Sequence, residues 1–168
     1  MIARAEKPED ISRIYQINIE TFSTDAEANL VDMLREHKVP LISWVAEDKG
    51  ELIGHILFSP VTLVGQMSRI SMAGLGPMAV RPSHQKKGVG TMLVEAGLKQ
   101  CLKEGYSAVV VLGYPEYYPR FGFVPSVAYG IDSTYDVPPE VFMVKELKKG
   151  ALKGIQGTVS YHGLFNDV

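Results

Sequence analysis

The feature that most constrains the fold is a strand, a glycine loop, a long helix and a second strand in direct succession. Residues 70–80 predict the first strand, which a short basic loop follows. Residues 88–104 place apolar side chains at helical spacing before Gly105, and predict the longest helix of the chain. Residues 108–112 are continuously apolar, as in a strand buried on both faces. This β-α-β succession predicts an α/β or α+β domain around one mixed sheet.

The segments on either side of this unit supply the remaining predicted elements. Two helices are predicted near the N-terminus, in residues 11–22 and 26–37, and Pro8 suits the first turn of the first one. Further strands are predicted in residues 2–5, 41–47, 52–63, 141–147 and 158–161. The strands that precede the long helix are typical of an antiparallel meander.

Composition limits the class of protein. The 168 residues are 46% hydrophobic and 21% charged, which indicates a single globular domain over residues 1–168 and excludes a wholly disordered chain. A net charge of -2 gives no basic excess, so no nucleic-acid partner is expected. The single Cys101 excludes a disulfide framework, and the four histidines show no metal-ligand pairing, so no metal is expected. Without an apolar spanning run or signal core, we expect a cytoplasmic protein with no membrane partner.

The loop that leads into the long helix has the features of an anion site. Gly88 and Gly90 let the backbone approach a ligand, and Lys86 and Lys87 add positive charge. The first N–H groups of a helix and its dipole also favour an anion, which predicts a phosphate or pyrophosphate cradle. The alternative is a plain loop with solvated lysines. The lysine of a P-loop is missing. The third glycine of a dinucleotide-binding motif is missing too, because Leu93 stands at its position, so a nucleotide hydrolase or a nicotinamide enzyme is disfavoured.

The sequence of this loop resembles motif A of the GNAT superfamily of N-acetyltransferases, Gln/Arg-x-x-Gly-x-Gly/Ala. Residues 85–90, QKKGVG, match it in full. Residues 118–123, YPRFGF, are similar to the Tyr-x-x-x-Gly-Phe that follows the fifth strand of these enzymes. Residues 54–61 and 157–162 are similar to the bacterial YhbS-like branch of the superfamily, so the resemblance covers nearly the whole chain.

The resemblance implies a GNAT-like fold: a mixed, mostly antiparallel twisted sheet, flanked by helices and splayed between its fourth and fifth strands. Acetyl-CoA is the implied cosubstrate and would lie in that opening, with the backbone near Met78 stabilising the oxyanion. The residues implied to bind it are Met78, Ala79, Val80, Gln85, Lys86, Lys87, Gly88, Val89, Gly90, Thr91, Gly113, Tyr117 and Phe121. Many family members carry an Asn just after the fifth strand, where Gly113 and Tyr114 stand here, which puts that Asn contact in doubt.

The resemblance also implies a general acid. Tyr118 lies four residues before Gly122, where a phenol with a pKa of about 10 can protonate the leaving thiolate. The alternative is that Tyr118 packs structurally while Tyr117 faces the cleft. Glu27, at the start of the second predicted helix, is the candidate ammonium anchor or base, or else a charge that favours a helix N-terminus. His55 lies within a predicted strand and is interpreted as structural.

The sequence therefore predicts an acetyl-CoA-dependent N-acetyltransferase that acts on the primary amine of a small molecule by direct attack. Two alternatives stay open: a protein or peptide amine as the acceptor, and a non-catalytic acyl-CoA-binding regulatory module. Acceptor selectivity is predicted to come from residues 22–37, 65–71 and 130–139. The family resemblance adds the expectation of a homodimer.

Overall fold

The structure, a computed structural model, describes residues 1–65 and 70–168. Its first half contains β1 (Ile2–Ala5), α1 (Ile11–Phe22), α2 (Ala26–Glu36), β2 (Ile42–Asp48), β3 (Glu51–Pro60), β4 (Thr62–Val64) and β5 (Met72–Val80). Its second half contains α3 (Val89–Lys103), β6 (Ala108–Leu112), β7 (Val124–Pro125), β8 (Ile131–Ser133), β9 (Phe142–Glu146) and β10 (Gly157–Ser160). The predicted helices are confirmed to within one residue at each end. The short strands β7 and β8 were not predicted.

Seven strands form the main sheet in the order β1-β2-β3-β5-β6-β9-β7. Within this sheet the β5–β6 pair is parallel, because α3 crosses over between these two strands, and the other described pairs are antiparallel. This confirms the prediction of a mixed sheet. A second, three-stranded sheet was not predicted. The predicted strand 52–63 divides after Pro60, which has no N–H to continue a ladder, and β4 pairs with β10 in a second sheet, β4-β10-β8.

Helices cover both faces of the main sheet. Side chains alternate along β3, so Ile56 and Phe58 contribute to the core beneath α3. Leu57 between them contributes to the core beneath α1 and α2, together with Ile14 and Leu34. The central strand is therefore buried on both sides and provides a rigid frame for its neighbour β5. No helix among the described residues is long and apolar enough to cross a membrane.

The main sheet opens between β5 and β6. Their ladder joins Met72–Leu75 to Ala108–Val111 and ends there. On its other side, β5 pairs with β3 across a bulge: Met78 lies opposite Ile56 and Leu75 opposite Phe58, so β5 has one residue more than β3 in this interval. The bulge and Pro77, which has no N–H, mark the point where the two strands separate. In chain order, β5 and β6 are the fourth and fifth strands of the main sheet, because β4 belongs to the second sheet. The opening therefore lies where the resemblance implied a splay.

A largely buried ion pair fixes the start of the α1–α2 helix pair. Asp10 is 4% exposed and accepts hydrogen bonds from the Arg4 guanidinium at 2.8 and 3.1 Å. It also accepts one from the Lys7 N–H at 2.7 Å. The hydrogen bonds from Arg4 hold the pKa of Asp10 below its ordinary value. The carboxylate therefore ties β1 to the turn that begins α1.

We expect Asp10→Asn to lower the free energy of unfolding by about 1 kcal/mol at neutral pH, because Arg4 keeps only Glu47 as a charged partner. Folding lowers the pKa of Asp10, so its contribution to the free energy of unfolding is fully present above pH 3.8. That contribution is lost as the pH falls through the lowered pKa. Urea denaturation should show that the difference in the free energy of unfolding between wild type and Asp10→Asn becomes smaller in acid. Glu9→Gln, at an exposed neighbouring position, is the control. Equal stabilities of wild type and Asp10→Asn at neutral pH would contradict this role.

Candidate active site

Two cavities meet where β5 and β6 separate. One, here called the loop cavity, has a volume of about 830 Å³ and lies against the loop before α3. The other, here called the aromatic cavity, has a volume of about 300 Å³ and lies among α1, α2, the separating strands and the C-terminal segment. Of the residues that the structure describes, four line both: Phe22, Met78, Tyr114 and Tyr118. Ligands in the two cavities would therefore contact each other beside β5.

The loop before α3 is shaped to bind an anion through its backbone. Lys86 and Gly88 have φ angles of 60° and 86°, in the left-handed region, which turns successive N–H groups toward one side. Gly88 adopts this φ without steric cost and is the N-cap of the 15-residue helix α3. The Gln85 side chain donates to the Val80 carbonyl at 3.0 Å and ties the loop to the end of β5. The loop thus presents free N–H groups at the positive end of a helix.

Basic side chains add to this anion site. Among the described residues that line the loop cavity, Lys86, Arg120 and His84 are basic and none is acidic. The Arg120 guanidinium lies over the Tyr117 ring, 4.5 Å from its centroid, and its Nε donates to the Tyr117 carbonyl at 2.9 Å. Arg120 was missed in the sequence because it occupies a variable position of the Tyr-x-x-x-Gly-Phe motif. The charge of this cavity suits a ligand with phosphate groups.

The adjacent tyrosines Tyr117 and Tyr118 take different positions. Tyr117 lines the loop cavity, and its hydroxyl lies 2.9 Å from the point that a Cβ on Gly90 would occupy. Tyr118 is 7% exposed and lines both cavities. Its ring covers Gly113, where a Cβ would lie 2.4 Å from the Tyr118 ring. An Asn at position 113 would therefore displace the Tyr118 ring.

The environment of Tyr118 favours its protonated form. Burial raises the pKa of the Tyr118 phenol above its ordinary value of 10.0, with smaller contributions from Tyr117 and Tyr114. The expectation of a near-normal pKa is thus wrong, because the sequence did not reveal the burial. The rings of Tyr117 and Phe123 contact Tyr118 edge-on, with centroids 5.1 and 5.7 Å away. Tyr118 is held in place as a neutral phenol, the state that a proton donor needs.

The aromatic cavity has the opposite electrostatic character. Glu27, near the start of α2, is the one charged side chain among the described residues that line it. Thr24 Oγ1 donates to Glu27 Oε2 at 3.4 Å. Three aromatic residues of the C-terminal part line the same cavity: Tyr135, Tyr161 and Phe165. Tyr135 lies in the predicted segment 130–139, whereas Tyr161 and Phe165 were not predicted to line the site and reach it through tertiary packing.

The segments predicted to select the acceptor are only partly represented at this cavity. Residues 22–37 contribute Phe22, Glu27 and Leu30, and residues 130–139 contribute Tyr135. Most of the third predicted segment, 65–71, lies outside the described residues.

Most of the predicted cofactor-binding residues lie at the two cavities. Those that line them are Met78, Val80, Gln85, Lys86, Gly88, Gly90, Thr91, Gly113 and Tyr117. Ala79, Lys87, Val89 and Phe121 do not. Ala79 and Val89 point into the cores beneath α1–α2 and α3, and Phe121 packs on Tyr117 with centroids 5.3 Å apart. For Ala79, Lys87 and Val89 the prediction now concerns their backbone groups alone.

Two other reactive side chains lie away from the site. His55 is fully buried, its Nε2 hydrogen-bonds Ser43 Oγ at 2.8 Å, and burial lowers its pKa to about 3. Cys101 is buried in the core beneath α3, where burial raises the pKa of the thiol to about 12. Neither lines either cavity. Among the side chains that the structure describes, in residues 1–65, 70–166 and 168, no three of His, Cys, Asp or Glu come together to hold a metal ion.

Known proteins share both the sequence and the fold of this chain. The acetyltransferase (GNAT) domain family matches residues 3–126. The uncharacterized N-acetyltransferase YhbS of Escherichia coli K12 is 36% identical over 167 residues, 99% of each chain. The crystal structure of E. coli YhbS in complex with CoA matches with a TM-score of 0.92 at 36% identity, over 98% of this chain and 91% of that one.

A further solved relative extends this match. A GNAT acetyltransferase from Brucella melitensis, crystallised with acetyl-CoA, matches with a TM-score of 0.79 at 33% identity, over 97% of this chain and 96% of that one. These matches confirm the resemblance first drawn from residues 85–90 and 118–123. The chain belongs to the GNAT family of acetyltransferases.

Proposed function

We propose that this enzyme transfers the acetyl group of acetyl-CoA to the primary amine of a small molecule by direct attack. The observation that carries the proposal is the opposite charge of two cavities that meet at Met78 and Tyr118. Basic residues line the loop cavity, which suits a phosphate-bearing donor. The carboxylate of Glu27 lines the aromatic cavity, which suits an ammonium-bearing acceptor.

The loop cavity fits acetyl-CoA. The left-handed backbone at Lys86 and Gly88 would hold the pyrophosphate, and the Lys86 and Arg120 side chains add positive charge. Beyond Leu75, β5 is no longer paired with β6, so this edge is open to hydrogen bonds from the pantetheine arm. The same cosubstrate is supported by YhbS, whose crystal structure contains CoA, and by the Brucella protein, whose structure contains acetyl-CoA.

Three groups perform the transfer. The backbone at Met78 stabilises the negative charge that develops on the thioester oxygen. Glu27 binds the acceptor ammonium and removes one proton, directly or through water. The amine nitrogen then bonds to the acetyl carbon, the carbon–sulfur bond breaks, and Tyr118 donates its phenolic proton to the leaving sulfur. The acetylated nitrogen then gives up its second proton, Tyr118 regains a proton, and Glu27 releases the one that it took to solvent, which balances the cycle with one proton released.

The lining of the aromatic cavity favours direct transfer over an acetylated enzyme. Among the described residues there, none is a Cys, Ser, Thr, His or Lys that would hold the acetyl group. The volume of about 300 Å³ lies at the small end of ligand pockets, which favours a small acceptor over a protein segment.

Glu27→Gln tests the assignment of the acceptor. We expect the KM for the amine to rise by about 10-fold or more, because a charged hydrogen bond to the ammonium is lost. Acetyl-CoA affinity, measured by calorimetry, should stay within about twofold because Glu27 does not line the loop cavity. CoA release with a panel of amines gives the kinetic constants. Glu36→Gln, at an exposed position on the same helix, is the matched control.

The two alternatives give different results in the same assay. Acetyl-CoA binding without CoA release on any amine or peptide would favour the regulatory module. Release that occurs only with peptides or proteins would favour a macromolecular acceptor. Release with small amines that is insensitive to Glu27→Gln would remove Glu27 from the site.

A further inference from the structure

The aromatic cavity has a wall of fixed carbon surface. Six aromatic side chains among the described residues line it: Phe22, Tyr114, Tyr118, Tyr135, Tyr161 and Phe165. The Tyr161 ring makes edge-on contacts with Tyr135 and Phe165, with centroids 6.0 and 4.9 Å away. Because these rings support one another, the wall keeps its shape when a ligand enters.

The hydroxyl of Tyr161 is engaged by the sheet. Its one proton is shared between the carbonyl oxygens of Leu75 and Val110, at 2.9 and 3.1 Å, next to the point where the β5–β6 ladder ends. Tyr161 is 9% exposed. It therefore offers the cavity ring carbon and no free hydroxyl.

Among the described side chains that line this cavity, Glu27 is the one charged group available to an acceptor. Its carboxylate can pair with one ammonium group. A second ammonium or a carboxylate on the acceptor would lie against apolar surface without an opposite charge, which is unfavourable. The volume of about 300 Å³ holds on the order of ten non-hydrogen atoms, at about 30 Å³ each.

We infer that the acceptor is a small primary monoamine with an uncharged, apolar body, of the arylalkylamine or alkylamine class. This inference rests on the proposed function and narrows it, because polyamines, aminoglycosides and free amino acids are expected to be poorer acceptors. The ammonium group binds Glu27, and the apolar body packs against the rings of Tyr161 and Phe165. The nitrogen is then directed toward Tyr118, where the two cavities meet.

Two matched pairs of amines test this class. Phenylalanine is 2-phenylethylamine with a carboxylate added, and 1,6-diaminohexane is hexylamine with a second ammonium added. We expect kcat/KM to favour 2-phenylethylamine over phenylalanine by about 100-fold, and hexylamine over the diamine by about 10-fold. Equal or better use of phenylalanine or the diamine would overturn the inference.

A gain of specificity gives a second test. Leu112 lines the aromatic cavity and is 43% exposed, so Leu112→Glu adds a second carboxylate where a charge is tolerated. The kcat/KM ratio of 1,6-diaminohexane to hexylamine should rise by about 10-fold. Leu102→Glu is the control, because Leu102 has the same exposure on α3 but lines neither cavity. An equal rise in both variants, or no rise in either, counts against the inference.

Binding measurements separate this inference from the proposed function. The four amines are titrated by calorimetry into protein saturated with CoA, where no acetyl transfer takes place. Monoamine preference without CoA release in the acetyl-CoA assay refutes the proposed transfer but supports the ligand class. CoA release with the opposite ranking refutes the ligand class and supports the transfer.

Discussion

Gly88→Glu is expected to weaken acetyl-CoA binding by at least about 100-fold, the largest effect of any single change in the loop cavity. Gly88 is the N-cap of α3 and has a φ of 86°. A glutamate there adds a negative charge beside the N–H groups proposed to hold the pyrophosphate. It also strains the left-handed backbone that turns those groups toward the ligand. Isothermal titration of acetyl-CoA into wild type and variant measures the loss.

Backbone strain and added charge are controlled by the same substitution at a distant turn. Gly50, between β2 and β3, has a φ of 81°, and no atom lies within 4 Å of the point that its Cβ would occupy. Gly88 is equally open, with no atom within 4 Å. Gly50→Glu therefore introduces the same charge and a similar strain away from the site, and should leave acetyl-CoA affinity unchanged. If both variants bind as wild type does, the anion cradle is not the cofactor site.

The part of the site that binds the donor is predictable because its signals are local in sequence. The loop of residues 85–90 and the helix that follows it are consecutive, so glycine spacing and helical periodicity indicate the cradle directly. The β5–α3–β6 unit is predictable for the same reason. The family pattern at residues 118–123 adds Tyr118, but not its burial.

The proposed acceptor side of the site is less predictable in this way. Segment 130–139 was predicted to take part and contributes Tyr135, but nothing local to Tyr161 and Phe165 indicates that they line the aromatic cavity. Their placement depends on the second sheet, in which β10 joins β4 to β8. That sheet forms because the long predicted strand divides after Pro60, and no local pattern indicates which partner β4 then takes.

Tyr118→Phe is expected to lower kcat by about 100-fold, because the leaving sulfur loses its proton donor. The substitution keeps the ring that packs against Tyr117, Phe123 and Gly113, so the fold and acetyl-CoA affinity should be retained. Since burial raises the pKa of the phenol, wild-type kcat should show no alkaline fall from this group until above pH 10.0. Steady-state CoA release across this pH range measures both effects.

Tyr117→Phe distinguishes the proton donor from its neighbour. Tyr117 lines the loop cavity alone, with its hydroxyl near Gly90, so loss of that hydroxyl should change the KM for acetyl-CoA rather than kcat. Tyr118 lines both cavities and lies where sulfur and amine would meet. A fall in kcat for Tyr117→Phe with none for Tyr118→Phe would reverse the assignment and make Tyr118 a packing residue. Only a loss confined to Tyr118→Phe supports proton transfer from this phenol.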